Sequence, residues 1–201
     1  MHDKIMILKS LARPSAASAL LFALALTACG EPRQTGGSTL TLPADFDACS
    51  VLTYERASAI AGKPVALITS TLDDAQGRSQ RYCPYNAGTM EQAQLVALEI
   101  RPAPSPIVAS TRMESARPYL ERLARAKIQP VEGLGEEAYW IGGLQQIHTR
   151  TGAVQLVVTV QAGNAPVEDA RKLAVDTFAA LEKASAEAKK KEAAAPAGGQ
   201  S

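Results

Sequence analysis

Hydrophobic and polar positions along this chain change period several times, and each change marks an element. Thr53 precedes an apolar stripe at Ala57, Ile60 and Ala61, with Glu55 in the first turn and Gly62 behind it. That arrangement predicts a short helix with an N-cap and a glycine stop. Residues 65–72 are rich in β-branched side chains and predict a strand, closed by the polar turn Asp73-Asp74-Ala75-Gln76-Gly77. A second strand is expected over 81–85, where Pro84 lacks a ladder donor and belongs at an edge or a bulge. Residues 95–100 alternate, with Val96, Leu98 and Ile100 on one side and Glu99 on the other, as a third strand would.

Between residues 107 and 128 the period lengthens, placing Ala116, Tyr119, Leu120, Leu123 and Ala124 on one helical face. Pro118 interrupts that pattern, so a break is expected there, with the cleaner helix over 118–127. After Gly133-Leu134-Gly135, strands over 138–141 and 144–149 are joined by Gly142-Gly143, a hairpin signal. The turn Thr151-Gly152 then leads into residues 154–161, the most strand-like run of the chain. Val167, Ala170, Ala174, Phe178 and Leu181 mark a last helix, with Glu168 and Asp169 in its first turn and Lys183 at its end, as the helix dipole favours. The order α-βββ-α-βββ-α, with connections too short for parallel crossovers, predicts an α+β domain. Its antiparallel sheet should have about six strands, with helices packed on it, over residues 43–183. Residues 184–201 hold Lys189-Lys190-Lys191, an alanine run, Pro196 and no large apolar side chain, so a disordered tail or frayed helix extension is expected.

The first 28 residues read differently. Lys4, Lys9 and Arg13 precede a run over 16–26 that is apolar except for Ser18, the layout of a signal peptide. The run is about half of the ~20 residues a membrane-spanning helix needs. Leu26-Thr27-Ala28-Cys29 resembles the bacterial lipobox, which implies removal of residues 1–28 and attachment of a diacylglycerol to the thiol of Cys29. Two or more acyl chains at one residue give stable membrane attachment. Gly30, rather than Asp, follows Cys29; by resemblance to Gram-negative sorting rules this implies the outer membrane, facing the periplasm, in an organism that has one. The Gly-, Thr- and Ser-rich stretch that follows makes residues 29–42 a flexible tether.

Export changes the meaning of the other two cysteines. In an oxidising compartment Cys49 and Cys83 have only each other as partners once Cys29 carries lipid, so a disulfide is expected. A metal site or reactive thiol is the rival reading, weakened by the absence of a C-x-x-C spacing and by His148 being the only histidine after the signal segment. Charge also shifts with processing. The full chain carries +1; loss of Lys4, Lys9, Arg13 and Asp3 turns that to −1, which argues against nucleic acid as a partner. At 46% hydrophobic and 20% charged residues, a folded domain is expected.

Asp47-Ala48-Cys49-Ser50-Val51-Leu52-Thr53, then Glu55, Gly62-Lys63-Pro64-Val65 and Cys83-Pro84-Tyr85, resemble the recurring segments of a bacterial lipoprotein domain family of unknown function, common in actinobacteria. Pro130-Val131-Glu132-Gly133-Leu134-Gly135-Glu136-Glu137-Ala138-Tyr139 is similar to that family's second recurring segment, so the resemblance covers most of residues 49–181. Tyr54 departs from it, standing where proline or a small residue is usual. The resemblance implies the disulfide and the fold class; it implies no activity.

Candidate chemistry is sparse. The chain has no G-x-S-x-G elbow, P-loop, dinucleotide-binding glycine fingerprint or H-E-x-x-H. His148 lies on a hairpin strand without an evident nucleophile partner, and reads as a surface or half-buried histidine. Asp45 with Asp47, and Asp73 with Asp74, are fragments of a calcium-loop pattern that lack its later carboxylate and read as turn formers. Strand alternation places Tyr139 and Trp140 on opposite faces, so one of them should be outside as a candidate contact residue, with Trp140 the better core residue. The expectation is a non-enzymatic envelope lipoprotein without cofactor or metal, anchored through Cys29 and binding or supporting another envelope protein or a cell-wall polymer. The alternative is a small-ligand carrier or sensor with an apolar pocket between sheet and helices. A hydrolase using His148 and acidic residues is the third reading.

Overall fold

The computed structural model describes residues 40, 42–68, 81–89 and 92–194. Residues from Thr35 to Ser201 form one compact unit by themselves, and it contains the whole core described below. The expected signal segment, Cys29, most of the expected tether and Asp73-Asp74 lie outside the described residues.

A 3-10 turn, Ala48–Ser50, precedes helix α1, Tyr54–Ala61, and three strands follow: β1 Ala66–Leu67, β2 Tyr82–Asn86 and β3 Leu95–Pro102. Helix α2, Pro106–Ala124, leads to β4 Gln129–Pro130, β5 Glu137–Ile141, β6 Gln146–Thr151 and β7 Val154–Val160, and α3 runs over Pro166–Ala194. All strand pairs are antiparallel, in the order β1-β2-β3-β7-β6-β5-β4. The sheet is therefore two meanders, β1 to β3 and β4 to β7, joined along β3 and β7. The fold is α+β, as the pattern predicts.

Register assigns the side chains to faces. Cys83, Leu98, Val158 and Ile147 occupy one cross-strand row, and they share a face with Val96, Ile100, Leu156, Val160 and Trp140. This face packs on α1 through Ala57 and Ala61 and on α3 through Ala170, Leu173, Ala174, Phe178 and Leu181. On the other face α2 places Met113 and Leu120 against Tyr139 and Ile141. Burial on both faces explains the unbroken apolar character of β7, every residue of which is buried. The disulfide joins Cys49 to Cys83, with Cα atoms 5.1 Å apart, and so ties the segment before α1 to β2.

Local signals act as expected at α1: Thr53 accepts from the Arg56 amide at 3.3 Å, and Gly62 ends the helix at φ 68°. Other expectations are corrected. A seventh strand, β4, pairs Gln129 with Trp140 and Pro130 with Tyr139; two residues are too short to show a period. Helix α2 is continuous through Pro118 and starts at Pro106, behind Ser105 as N-cap, instead of breaking and restarting. Pro118 is exposed, as is Glu114 one turn earlier, so the carbonyl left without a donor faces water. The strand after Gly142-Gly143 begins at Gln146, because a Cβ on Gly143 would meet the Ala124 carbonyl at 2.2 Å and the loop is held against the end of α2. Pro84 lies in the second strand, not the edge. Its carbonyl accepts from Ile68, so its donor-less nitrogen faces the two-residue β1 and costs β3 no hydrogen bond.

The domain ends also move. Helix α3 continues past Lys183 to Ala194 with Ser185 buried, so of the two forms expected for the tail, disordered or a helix extension, the first part takes the helical one. Alanine, lysine and glutamate are strong helix formers, and extending a packed helix needs no new nucleus. Leu40 is buried and Leu42 packs on the core, so the expected tether is seated before it reaches residue 43. Among the described residues no helix is long and apolar enough to cross a membrane.

Candidate functional site

Helix α2 lies over β5, β6 and β7. The part of the same face built on β2 and β3 opens beside it as a cleft of about 790 Å³. Its floor is set by strand alternation: Leu95, Ala97, Glu99 and Arg101 from β3, Val157 and Thr159 from β7, and Gln146 and His148 from β6. Ala116, Tyr119 and Leu120 of α2 form one wall, while Arg81 and Tyr82 rise from β2 and the turn before it. Arg112 and Pro102 close the end where β3 passes into α2.

One cross-strand row runs beneath the cleft: Tyr82, Glu99, Val157, His148 and Tyr139 follow one another across five strands. Glu99 and Arg101, two apart on β3, form a bidentate ion pair with both bonds at 2.7 Å. Arg112 donates to the Pro102 carbonyl at 3.2 Å, and no carboxylate pairs with it among the described residues. Tyr82 is pushed above its ordinary pKa by burial and by the negative charge of Glu99.

His148 is 4% exposed. Its ring stacks on Tyr139 with centroids 5.3 Å apart and planes 14° apart, and the Arg117 guanidinium lies 4.8 Å from the centre of the Tyr139 ring. Gln146 donates from Nε2 to Thr159 Oγ1 at 3.1 Å, which leaves its Oε1 to accept from His148 Nε2 at 3.2 Å. That orientation assigns the imidazole proton to Nε2, leaving Nδ1 a bare acceptor. Nδ1 is buried, and among the described residues it has no hydrogen-bond partner. Burial, with the positive charge of Arg101 behind it, lowers the His148 pKa to about 4, so the ring is neutral at physiological pH.

Tyr139 and Trp140 do alternate between faces, but neither is outside: they are 1% and 6% exposed, because helices cover both sides of β5. Their expected role as contact residues is corrected, and the accessible aromatics at the cleft are Tyr82 and Tyr119, the latter 59% exposed. His148 is buried rather than on the surface. Asp47 caps the 3-10 turn, accepting from the Cys49 amide at 2.9 Å, which is a turn-former's role. Among the described residues no group of three or more His, Cys, Asp or Glu side chains is placed to hold a metal ion.

A histidine with a pKa about 4 is a weak general base. Among the described residues the hydroxyls lining the cleft are those of Thr159, already accepting from Gln146, and of the two tyrosines. The polar members were missed because each falls on a strand position where one polar residue is ordinary. Their signal is joint: Glu99 and Arg101 on β3, Gln146 and His148 on β6, and Gln155 and Thr159 on β7 alternate in step on one face.

No family model matches the chain, no curated protein is significantly similar to it, and no solved structure is either.

Proposed function

We propose that this chain is a lipid-tethered, non-enzymatic module of the bacterial cell envelope that binds a small ligand in the cleft between α2 and the sheet. The observation that carries the reading is the cleft itself: about 790 Å³, with a wall of Ala116, Tyr119 and Leu120 and a floor on which Leu95, Ala97 and Val157 are interspersed with a few convergent polar groups. That volume lies within the ~300–1,000 Å³ of small-molecule sites, which favours a small ligand over a polymer. The envelope location rests on the signal-peptide layout, the lipobox-like Leu26-Thr27-Ala28-Cys29 and the segments that resemble a lipoprotein family. The Cys49–Cys83 disulfide is consistent with an oxidising compartment.

Two experiments test it. A small-molecule screen against the unit from Thr35 to Ser201, read by amide chemical shifts, should place hits at Ala97, Val157 and Tyr119, and Ala116→Trp should abolish them. Hits that map only to other surfaces would overturn the cleft as the binding site. For the anchor, a Cys29→Ala variant should move from the membrane fraction to the soluble envelope fraction; unchanged membrane association would overturn the tether.

A further inference from the structure

We infer that the ligand of this cleft is a small amphipathic anion: an acid group on an acyl or aromatic body. The inference rests on the cleft being the binding site and adds what its chemistry selects. Among the described residues three arginines, Arg81, Arg101 and Arg112, line the cleft against one carboxylate, Glu99. Arg101 and Glu99 neutralise one another through their two bonds. Arg112 uses one donor on the Pro102 carbonyl, and its guanidinium leaves a fixed positive charge in the lining of that end. An acid group there gains a charge-assisted bond, whereas an ammonium group meets like charge on entry.

Away from that end apolar side chains outnumber the uncharged polar ones of Gln146, His148 and Thr159. Leu95, Ala97 and Val157 below, with Ala116, Tyr119 and Leu120 beside them, fit a chain or ring system and offer no counter-charge to a second ionic group. His148, on the floor between these side chains, is neutral and adds no charge to set against the arginines. The positive end therefore selects the charge of the ligand.

The test uses the oxidised unit from Thr35 to Ser201 and 8-anilinonaphthalene-1-sulfonate, an anion with apolar rings and one N–H, read by its fluorescence. Decanoate should displace the dye at a concentration at least tenfold below that required of methyl decanoate or decyltrimethylammonium. Arg112→Gln, a change on an exposed side chain, should remove most of that preference, and Arg112→Lys should restore part of it. Raising the salt concentration should weaken decanoate and leave methyl decanoate unchanged. Equal displacement by all three amphiphiles, unaffected by Arg112→Gln, would overturn the anion preference while leaving the cleft as a binding site. Dye binding that Ala116→Trp does not reduce would overturn the cleft itself, and the inference with it.

Discussion

Protonating His148 should destabilise this domain in a pH range where little else titrates. The unfolded imidazole takes up its proton near the ordinary value of 6.5, whereas burial holds the folded one down to about 4. Between those values the unfolded chain binds more protons, so stability is full above pH 6.5 and falls as the pH is lowered toward 4. The displacement is worth about 3 kcal/mol in full and about 2 kcal/mol by pH 5. The groups around the ring reinforce the sign: Arg101 opposes a second positive charge, Tyr139 covers one face, and Glu99 is engaged by Arg101. His148 is the only histidine of the unit from Thr35 to Ser201, so the window between pH 7.5 and 5 is nearly its own. Trp140, the only tryptophan and buried, provides the fluorescence signal for urea titrations. A loss of about 2 kcal/mol lowers the urea midpoint by about 1 M for a domain of this size. The His148→Gln variant should lack most of that slope. A wild-type midpoint that stays constant from pH 7.5 to 5, or a variant whose midpoint falls just as far, would refute the reasoning.

Three further outcomes follow from the geometry. Reducing the Cys49–Cys83 bond, or replacing both cysteines with alanine, should lower unfolding stability by about 3–4 kcal/mol for a closed loop with a sequence separation of 34, measured by denaturant midpoint with and without reductant. Gly135→Ala should cost clearly more than Gly62→Ala although both have positive φ: a Cβ on Gly135 meets the Arg150 carbonyl at 2.4 Å, while one on Gly62 meets nothing within 4 Å and should cost only about 1 kcal/mol. Equal losses in calorimetry would contradict the contact. Tyr139 is buried and its pKa is raised to about 12, so its neutral form stabilises the fold below pH 10 and that contribution is lost as the pH rises toward 12; absorbance at 295 nm should show one phenol ionising last, and Tyr139→Phe should remove that step.

The elements were legible wherever a period could run. The stripe of Ala57 and Ala61, the alternation of Val96, Leu98 and Ile100, and the sequence 154–160 each follow from burial of one repeating face, and the structure has all three. The two cysteines were legible because elimination left a single pairing. What escaped depends on distant residues. That both faces of β5 are covered is decided by where α2 lands, so the exposure expected for Tyr139 or Trp140 could not be corrected from their own neighbours. Pro118 argued for a break, yet its turn faces water and the carbonyl it leaves free needs no protein donor. The cleft is still less local, because its floor comes from three strands whose registers bring Glu99, His148 and Thr159 onto one face.

The seam between β3 and β7 also has a kinetic meaning. Every other strand pairing joins neighbours in sequence, whereas Val96 meets Val160 across roughly 60 residues, a loop whose closure must be reached before any contact in it is rewarded. Each meander can assemble on its own side of that loop, and Cys49 and Cys83 both precede β3 in the chain. Their oxidation does not need the seam, so the chain can be covalently locked in its first half while its second half is still searching for it. Thiol trapping during refolding would show the bond ahead of hydrogen-exchange protection at the β7 amides.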